Sequence, residues 1–275
     1  MDCLESATSL SISTPLLIEG PDAVAFAHAQ FSSKVNELAV GRWAFGAWLD
    51  PQGRVRALFH LARIADGKLL LLLRGGKAAD MADGLRRFVF RSRVTLREAP
   101  AAALATGEAQ TLHDVHIEGE TISLGCGSHA LRIVTSTTTG DMQWQPVQLK
   151  LGWPWLPDEA LNKCLAPMLS LQRLQAVAVD KGCYPGQEIV ARLHFRGGCK
   201  RHLCSVTASR AIAPGETLRR GEQEVGIVLN VVNGDTIEAL VVLSDDVVDN
   251  AIDDNITLGD GDDSLLMTTI ERWPA

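Results

Sequence analysis

Apolar and polar positions along this chain alternate in two different periods, and the switches between them mark its elements. Residues 10–19 read as a strand that stops at Gly20-Pro21. From Pro21-Asp22 onward, Val24, Ala27, Phe31, Val35 and Leu38 recur every three or four positions, the stripe of a helix. Trp43, Phe45, Ala47 and Leu49 then alternate as a strand, and Asp50-Pro51-Gln52-Gly53 turns. Val55, Ala57, Phe59 and Leu61 alternate as its hairpin partner. Ala65-Asp66-Gly67-Lys68 turns again into the leucine run 69–73, a buried strand by its length. Residues 77–91 are helical, with Met81, Leu85, Phe88 and Val89 on one stripe, and Val94-Thr95-Leu96 returns as a strand. This β-α-β-β-β-α-β order predicts an antiparallel sheet backed by two helices.

Residues 98–107 read as an alanine-rich connector. Short strands are predicted at 114–118, 121–124, 130–134 and 146–151, as parts of a second α+β lobe. From residue 203 the text changes to short β-rich runs at 203–208, 225–232, 236–243, 256–258 and 265–270, separated by Gly, Asn and Asp turns. That spacing predicts a small β-barrel. The expected fold class is therefore α+β in three parts. They are an N-terminal α+β lobe (1–98), a second α+β lobe (99–202) and a C-terminal barrel (203–275).

Composition changes this picture little. The chain has 275 residues, 46% hydrophobic and 21% charged, as in an ordinary globular protein with a large core. No apolar run approaches bilayer-crossing length, and Met1-Asp2-Cys3-Leu4-Glu5 lacks the layout of a signal peptide. A cytoplasmic location and no membrane partner are expected. The six cysteines form no C-x-x-C pair, and Cys199 and Cys204 with His202 between them fit no common zinc or cluster spacing. Reduced thiols and no metal are expected.

Charge is more informative in its distribution than in its sum. The net −7 argues against a general nucleic-acid binder, yet residues 181–203 carry five basic groups and one acid. Residues 235–275 carry eleven acids and one arginine. A second basic run, Arg86, Arg87, Arg91, Arg93 and Arg97, surrounds Phe88-Val89-Phe90. Such faces suit RNA or a polyglutamylated cofactor; the alternative is solvated surface with internal ion pairs.

Candidate chemistry concentrates in one string, Lys181-Gly182-Cys183-Tyr184-Pro185-Gly186-Gln187-Glu188-Ile189-Val190-Ala191-Arg192. Gly182 and Gly186 bracket the cysteine, so the backbone can turn tightly and approach a ligand closely. A helix is predicted to follow from Gln187. Cys183 would then sit ahead of a helix N-terminus and beside Lys181, both of which favour a thiolate. The alternative for any single cysteine is a small buried hydrophobe. Glu188 is a candidate acid or base and Cys183 a candidate nucleophile or redox thiol. Equally, Gln187-Glu188 would cap the helix, Arg192 would pair with Glu188 one turn on, and Lys181 would be a counter-charge or a solvated lysine.

This string resembles the K-G-C-Y-x-G-Q-E-x-x-x-R signature of the YgfZ family of folate-binding proteins, relatives of the glycine-cleavage T-protein, with all eight defined positions present. Further likenesses are Gly20-Pro21-Asp22-Ala23 with Phe26 and Gln30, Leu49-Asp50-Pro51-Gln52-Gly53-Arg54, residues 87–94 and the basic tail from Gly198 to Arg201. The resemblance implies two α+β lobes and a barrel in a ring around a folate pocket. It also implies tetrahydrofolate as cofactor and an accessory role for iron–sulfur enzymes, including those that methylthiolate tRNA. Carried over by position, Trp144, Lys181, Tyr184, Gln187 and Arg192 are the implied folate residues, with Cys183 and Glu188 at the chemistry. Thr14 stands where the family carries a folate aromatic, and Ser170 where it carries an amide. The T-protein has an acidic pair where residues 53–58 here have no acid, which argues against aminomethyl transfer. The other two classes are a folate-dependent one-carbon transferase of aminomethyl type whose acceptor is unknown, and a non-catalytic RNA- or protein-interaction module with a vestigial folate pocket.

Overall fold

The leucine run 69–73 is buried throughout because its strand has cover on both faces. The computed structural model describes residues 12–135, 140–259 and 264–275. The chain forms two compact units, the first from residues 12–48, 57–144 and 180–185, the second from 49–56, 145–179 and 186–275.

The first unit contains two five-stranded sheets. One has the order β3-β4-β5-β2-β6, with β2 at Leu16–Glu19, β3 at Arg42–Leu49, β4 at Val55–Ala65, β5 at Lys68–Leu73 and β6 at Thr95–Glu98. Helices α1 (Ala23–Gln30) and α2 (Ala78–Arg86) pack on one face of it. Leu16, Ile18, Phe59, Leu61, Leu69, Leu71 and Leu73 join Phe26, Phe31, Met81 and Leu85 there in a single apolar core. The other sheet has the order β1-β7-β10-β9-β8: Ile12–Ser13, Ala102–Gly107, Ala130–Val134, Thr121–Gly125 and Val115–Glu118. This bears out the predicted β-α-β-β-β-α-β order.

Residues of the opposite parity put polar groups inside. Trp43, Phe45, His60 and Arg74 meet the loops of the second sheet, where the Trp43 indole donates to the Gly125 carbonyl at 2.9 Å. Arg74 is fully buried, its guanidinium 5.6 Å above the Phe45 ring and 3.4 Å from His60 Nε2. Burial pushes Arg74 down to about 9, so it stays charged at neutral pH. It therefore donates to His60 Nε2, which puts the imidazole proton on Nδ1, an atom with no partner among the described residues. Burial first, and the Arg74 charge second, hold His60 well below its ordinary value. Burial likewise lowers His28, His113 and His129.

The unfolded chain therefore binds more protons than the native one below about pH 6.5. Stability should fall as pH drops from about 6.5 toward 5, by about 1.4 kcal/mol per pH unit for each proton taken up on unfolding. Urea melts across that range should show the decline, and His60→Gln should flatten it. An unchanged slope in that variant would remove His60 as the cause.

The second unit holds a six-stranded antiparallel sheet of order β12-β13-β14-β11-β16-β15: Thr217–Arg220, Gln223–Asn233, Ile237–Ser244, Arg201–Ala208, Leu265–Arg272 and Asn255–Leu258. Its edge strands β12 and β15 come into contact, so the sheet nearly closes on itself around Cys204, Val206, Val228, Val241, Leu243 and Met267. The expected barrel is borne out, with β12 added to the predicted strands. Among the described residues, no helix is long and apolar enough to cross a membrane.

Several expected elements are corrected. The strand expected over 10–19 is two strands in different sheets: Ile12–Ser13 pairs with β7, and Leu16–Glu19 lies between β5 and β6. Pro15 lies between them and has no N–H to continue a ladder; residues 10 and 11 lie outside the described residues. The first helix stops at Gln30, where Phe31 turns extended, and Val35–Glu37 is a separate 3-10 turn. The apolar stripe ran on because Phe31, Val35 and Leu38 still feed the same core. The connector expected at 98–107 is largely strand β7, which lies between β1 and β10 in the second sheet. The strand expected at 146–151 is helix α3, Trp144–Lys150, a short apolar run whose period does not separate the two states.

Candidate functional site: the signature loop

The first half of the signature belongs to the first unit. Lys181 sends its ammonium to three main-chain carbonyls, those of His28 (2.6 Å), Phe31 (2.6 Å) and Ser33 (2.8 Å). These lie at the C-terminal end of α1 and just beyond it, where helix carbonyls have lost their partners and the dipole favours a cation. The ammonium also sits 5.1 Å from the centroid of the Tyr184 ring, which is itself buried. Burial pushes Lys181 down to about 8, still protonated at neutral pH, with three N–H donors for three carbonyls. Beside it, Asp180 pairs with Lys34 at 2.7 Å. Lys181 is thus an anchor for the loop, tied to main-chain carbonyls rather than left as a solvated lysine.

Cys183 is exposed on that anchored loop. Gly182 before it faces open space. The other described cysteines differ. Cys126, Cys164 and Cys204 are buried, and burial pushes their thiols up to about 12, 11 and 12. Half-buried Cys199 is raised for the same reason and donates to the Arg201 carbonyl. Because alkylation needs an accessible thiolate, limiting iodoacetamide at neutral pH should label Cys183 first among these five. Peptide mass mapping reads the order, and a Cys183 that reacts after Cys199 would contradict it. Cys3 lies outside the described residues.

The second half of the signature belongs to the second unit. Helix α4, Gln187–Arg196, starts from Gly186 at φ +81°. A Cβ at Gly186 would lie 2.5 Å from the Asp50 carbonyl oxygen and 2.9 Å from Gly53 Cα, so only glycine fits. The 50–54 turn it meets is closed by Asp50, whose Oδ1 accepts the amides of Gln52 and Arg54. On α4, Gln187 is half-buried, whereas Glu188 and Arg192 are exposed. Neither Glu188 nor Arg192 has an ion pair among the described residues, so the pairing considered one turn apart is not formed. Both remain available to a ligand.

The remaining candidates have core positions. Trp144 is fully buried in the first unit, its indole N–H donating to the Asp141 carbonyl at 3.0 Å. Ser170 is buried at φ +53°, the left-handed region that asparagine tolerates better than serine, and its hydroxyl has no partner among the described residues. Cys204 lies in the barrel core while His202 is held by Asp245, so these two and Cys199 form no ligand set.

No protein-family model matches the chain. Its relatives include the tRNA-modifying protein YgfZ of Cronobacter sakazakii, 27% identical over 272 residues, 84% of this chain and 82% of that protein. The tRNA-modifying protein YgfZ of Yersinia pestis is 25% identical over 297 residues, 94% of this chain and 88% of that protein. Among solved structures, the glycine cleavage system aminomethyltransferase T from Bartonella henselae matches with a TM-score of 0.73 at 12% identity, over 94% of this chain and 82% of that one. That likeness is one of fold.

Proposed function

We propose, for a chain that is a homologue of the tRNA-modifying YgfZ proteins and has the fold of aminomethyltransferase T, a role as a tetrahydrofolate-binding accessory protein. It supports iron–sulfur enzymes that modify tRNA. The observation that carries this reading is the complete signature, with an exposed thiol on its anchored loop and Glu188 and Arg192 exposed on the helix that follows.

The exposed groups suit such a ligand. A pterin offers paired N–H donors, which a carboxylate such as Glu188 accepts, and the folate tail offers carboxylates, which a guanidinium such as Arg192 binds in a fork. Gln187 is a further polar contact. Lys181 and Tyr184 act on the ligand indirectly, by fixing the loop. Trp144 is the first residue of α3 and is fully buried. Cys183 is the group left for covalent or redox chemistry, because it is the accessible thiol of the signature. Transfer of an aminomethyl group is the weaker reading, since residues 53–58 supply no carboxylate for the proton transfer it requires.

Tetrahydrofolate should bind with a Kd in the micromolar range, roughly −8 kcal/mol, and raise the Tm. Glu188→Gln should weaken binding about tenfold or more with an unchanged apo Tm, since the side chain is exposed. Calorimetric titration with the reduced folate checks both. No heat and no thermal shift at millimolar tetrahydrofolate would end the folate reading.

A further inference from the structure

The segment between α2 and β6 presents aromatic rings to solvent on a fixed frame. Phe90 is 90% exposed and Phe88 42% exposed, the first an unusual state for a phenylalanine of a folded domain. The segment is nonetheless tied down. Val89 and Val94 pack against the first unit's core. Main-chain bonds run from Phe88 to Leu85, from Val89 to Arg86 and from Ser92 to Val89. Asp22 clips the far end by accepting from the Arg93 amide at 2.8 Å and from its guanidinium. The exposure of Phe90 is therefore built into the loop.

Four arginines surround these rings. Arg86 pairs with Asp83 and Arg93 with Asp22. Arg87 instead lies over the Phe88 ring, 5.0 Å from its centroid, and Arg91 is exposed; neither has an acidic partner among the described residues. Two cations without counter-ions flank a solvent-facing ring in a chain whose net charge is −7. An acidic or uncharged protein surface would satisfy the cations or the ring; a nucleic-acid strand satisfies both, because each nucleotide carries one phosphate and one π face.

We propose that residues 86–93 form a contact for single-stranded RNA, with a base stacked on Phe90 and phosphates held by Arg87 and Arg91. Base-paired RNA fits less well, since its bases are already stacked and its helix buries their faces. The contact extends the tRNA-modification part of the proposed role and is independent of folate.

Fluorescence anisotropy with a labelled 12-nucleotide single-stranded RNA, and with a duplex of the same length, tests the contact. Wild type should bind the single strand more tightly. Phe90→Ala should weaken that binding about tenfold, and Phe90→Trp should preserve it. The Arg87→Ala/Arg91→Ala variant should lower the slope of log K against log salt by about 1.4, two phosphate contacts on a single strand. Tetrahydrofolate titration of the same variants should match wild type, which separates this contact from the folate reading. No binding at low salt, a preference for duplex, or arginine-dependent binding indifferent to Phe90 would each overturn the proposal, the last by reducing the patch to a general polyanion surface.

Discussion

Lys181→Met should destabilise the protein by about 2–4 kcal/mol, because it strips the donor from carbonyls that need one. At this chain length that corresponds to a fall in Tm of about 5–15 °C. The thioether roughly keeps the volume of the stem, so lost packing contributes little. Water can reach some of the vacated carbonyls, and Ser33 keeps the Val35 amide as a donor, which holds the cost below three full desolvation penalties. Lys181→Arg should not rescue. A planar guanidinium presents its donors in a flat fork, whereas the His28, Phe31 and Ser33 carbonyls converge on a single point charge. A purely local anchor makes a second demand: amide exchange should accelerate most in residues 180–185 and in the turn after α1. Deuterium exchange reads this peptide by peptide. A variant with wild-type Tm and unchanged exchange in the loop would show that the three contacts hold nothing in place.

The strands were legible because alternation survives wherever one sheet face differs from the other, as in Trp43–Leu49 and Val55–Leu61. The parity of Arg74 is legible too. It continues the face of Leu70 and Leu72 one step past the leucine run, and so arrives beside His60 inside the unit. What failed were boundaries and short runs. The stripe through Phe31 and Val35 reports burial, which continues after the helix has ended, and β7 hid in alanines too small to advertise a strand. The signature string was visible as a motif, but not the work of its first residue. The partners of Lys181 are main-chain carbonyls some 150 positions away, and carbonyls have no letter in a sequence. Ser170 is similar: its place in the left-handed region gives a backbone reason for the amide the family carries there, and nothing in the string Pro167-Met168-Leu169-Ser170 discloses the angle.

Arg74→Ala should be among the most damaging substitutions in the first unit, at about 3–5 kcal/mol. It empties the volume of a large, fully buried side chain, removes the cation above Phe45, and leaves both nitrogens of buried His60 without the arginine that orients them. Arg74→Met separates these costs. A buried charge carries a standing desolvation penalty, visible here as the fall of the guanidinium to about 9, and an apolar side chain of similar length removes it. Methionine should therefore recover part of the loss, and the imidazole that has lost its arginine accounts for a share of the remainder. Adding His60→Leu to Arg74→Met removes the imidazole left without its arginine and should recover a further part of the loss. Chemical denaturation of the four proteins gives the comparison directly. If methionine is as damaging as alanine and the double variant is worse than either, the cluster is held together by the charge itself rather than by packing around it.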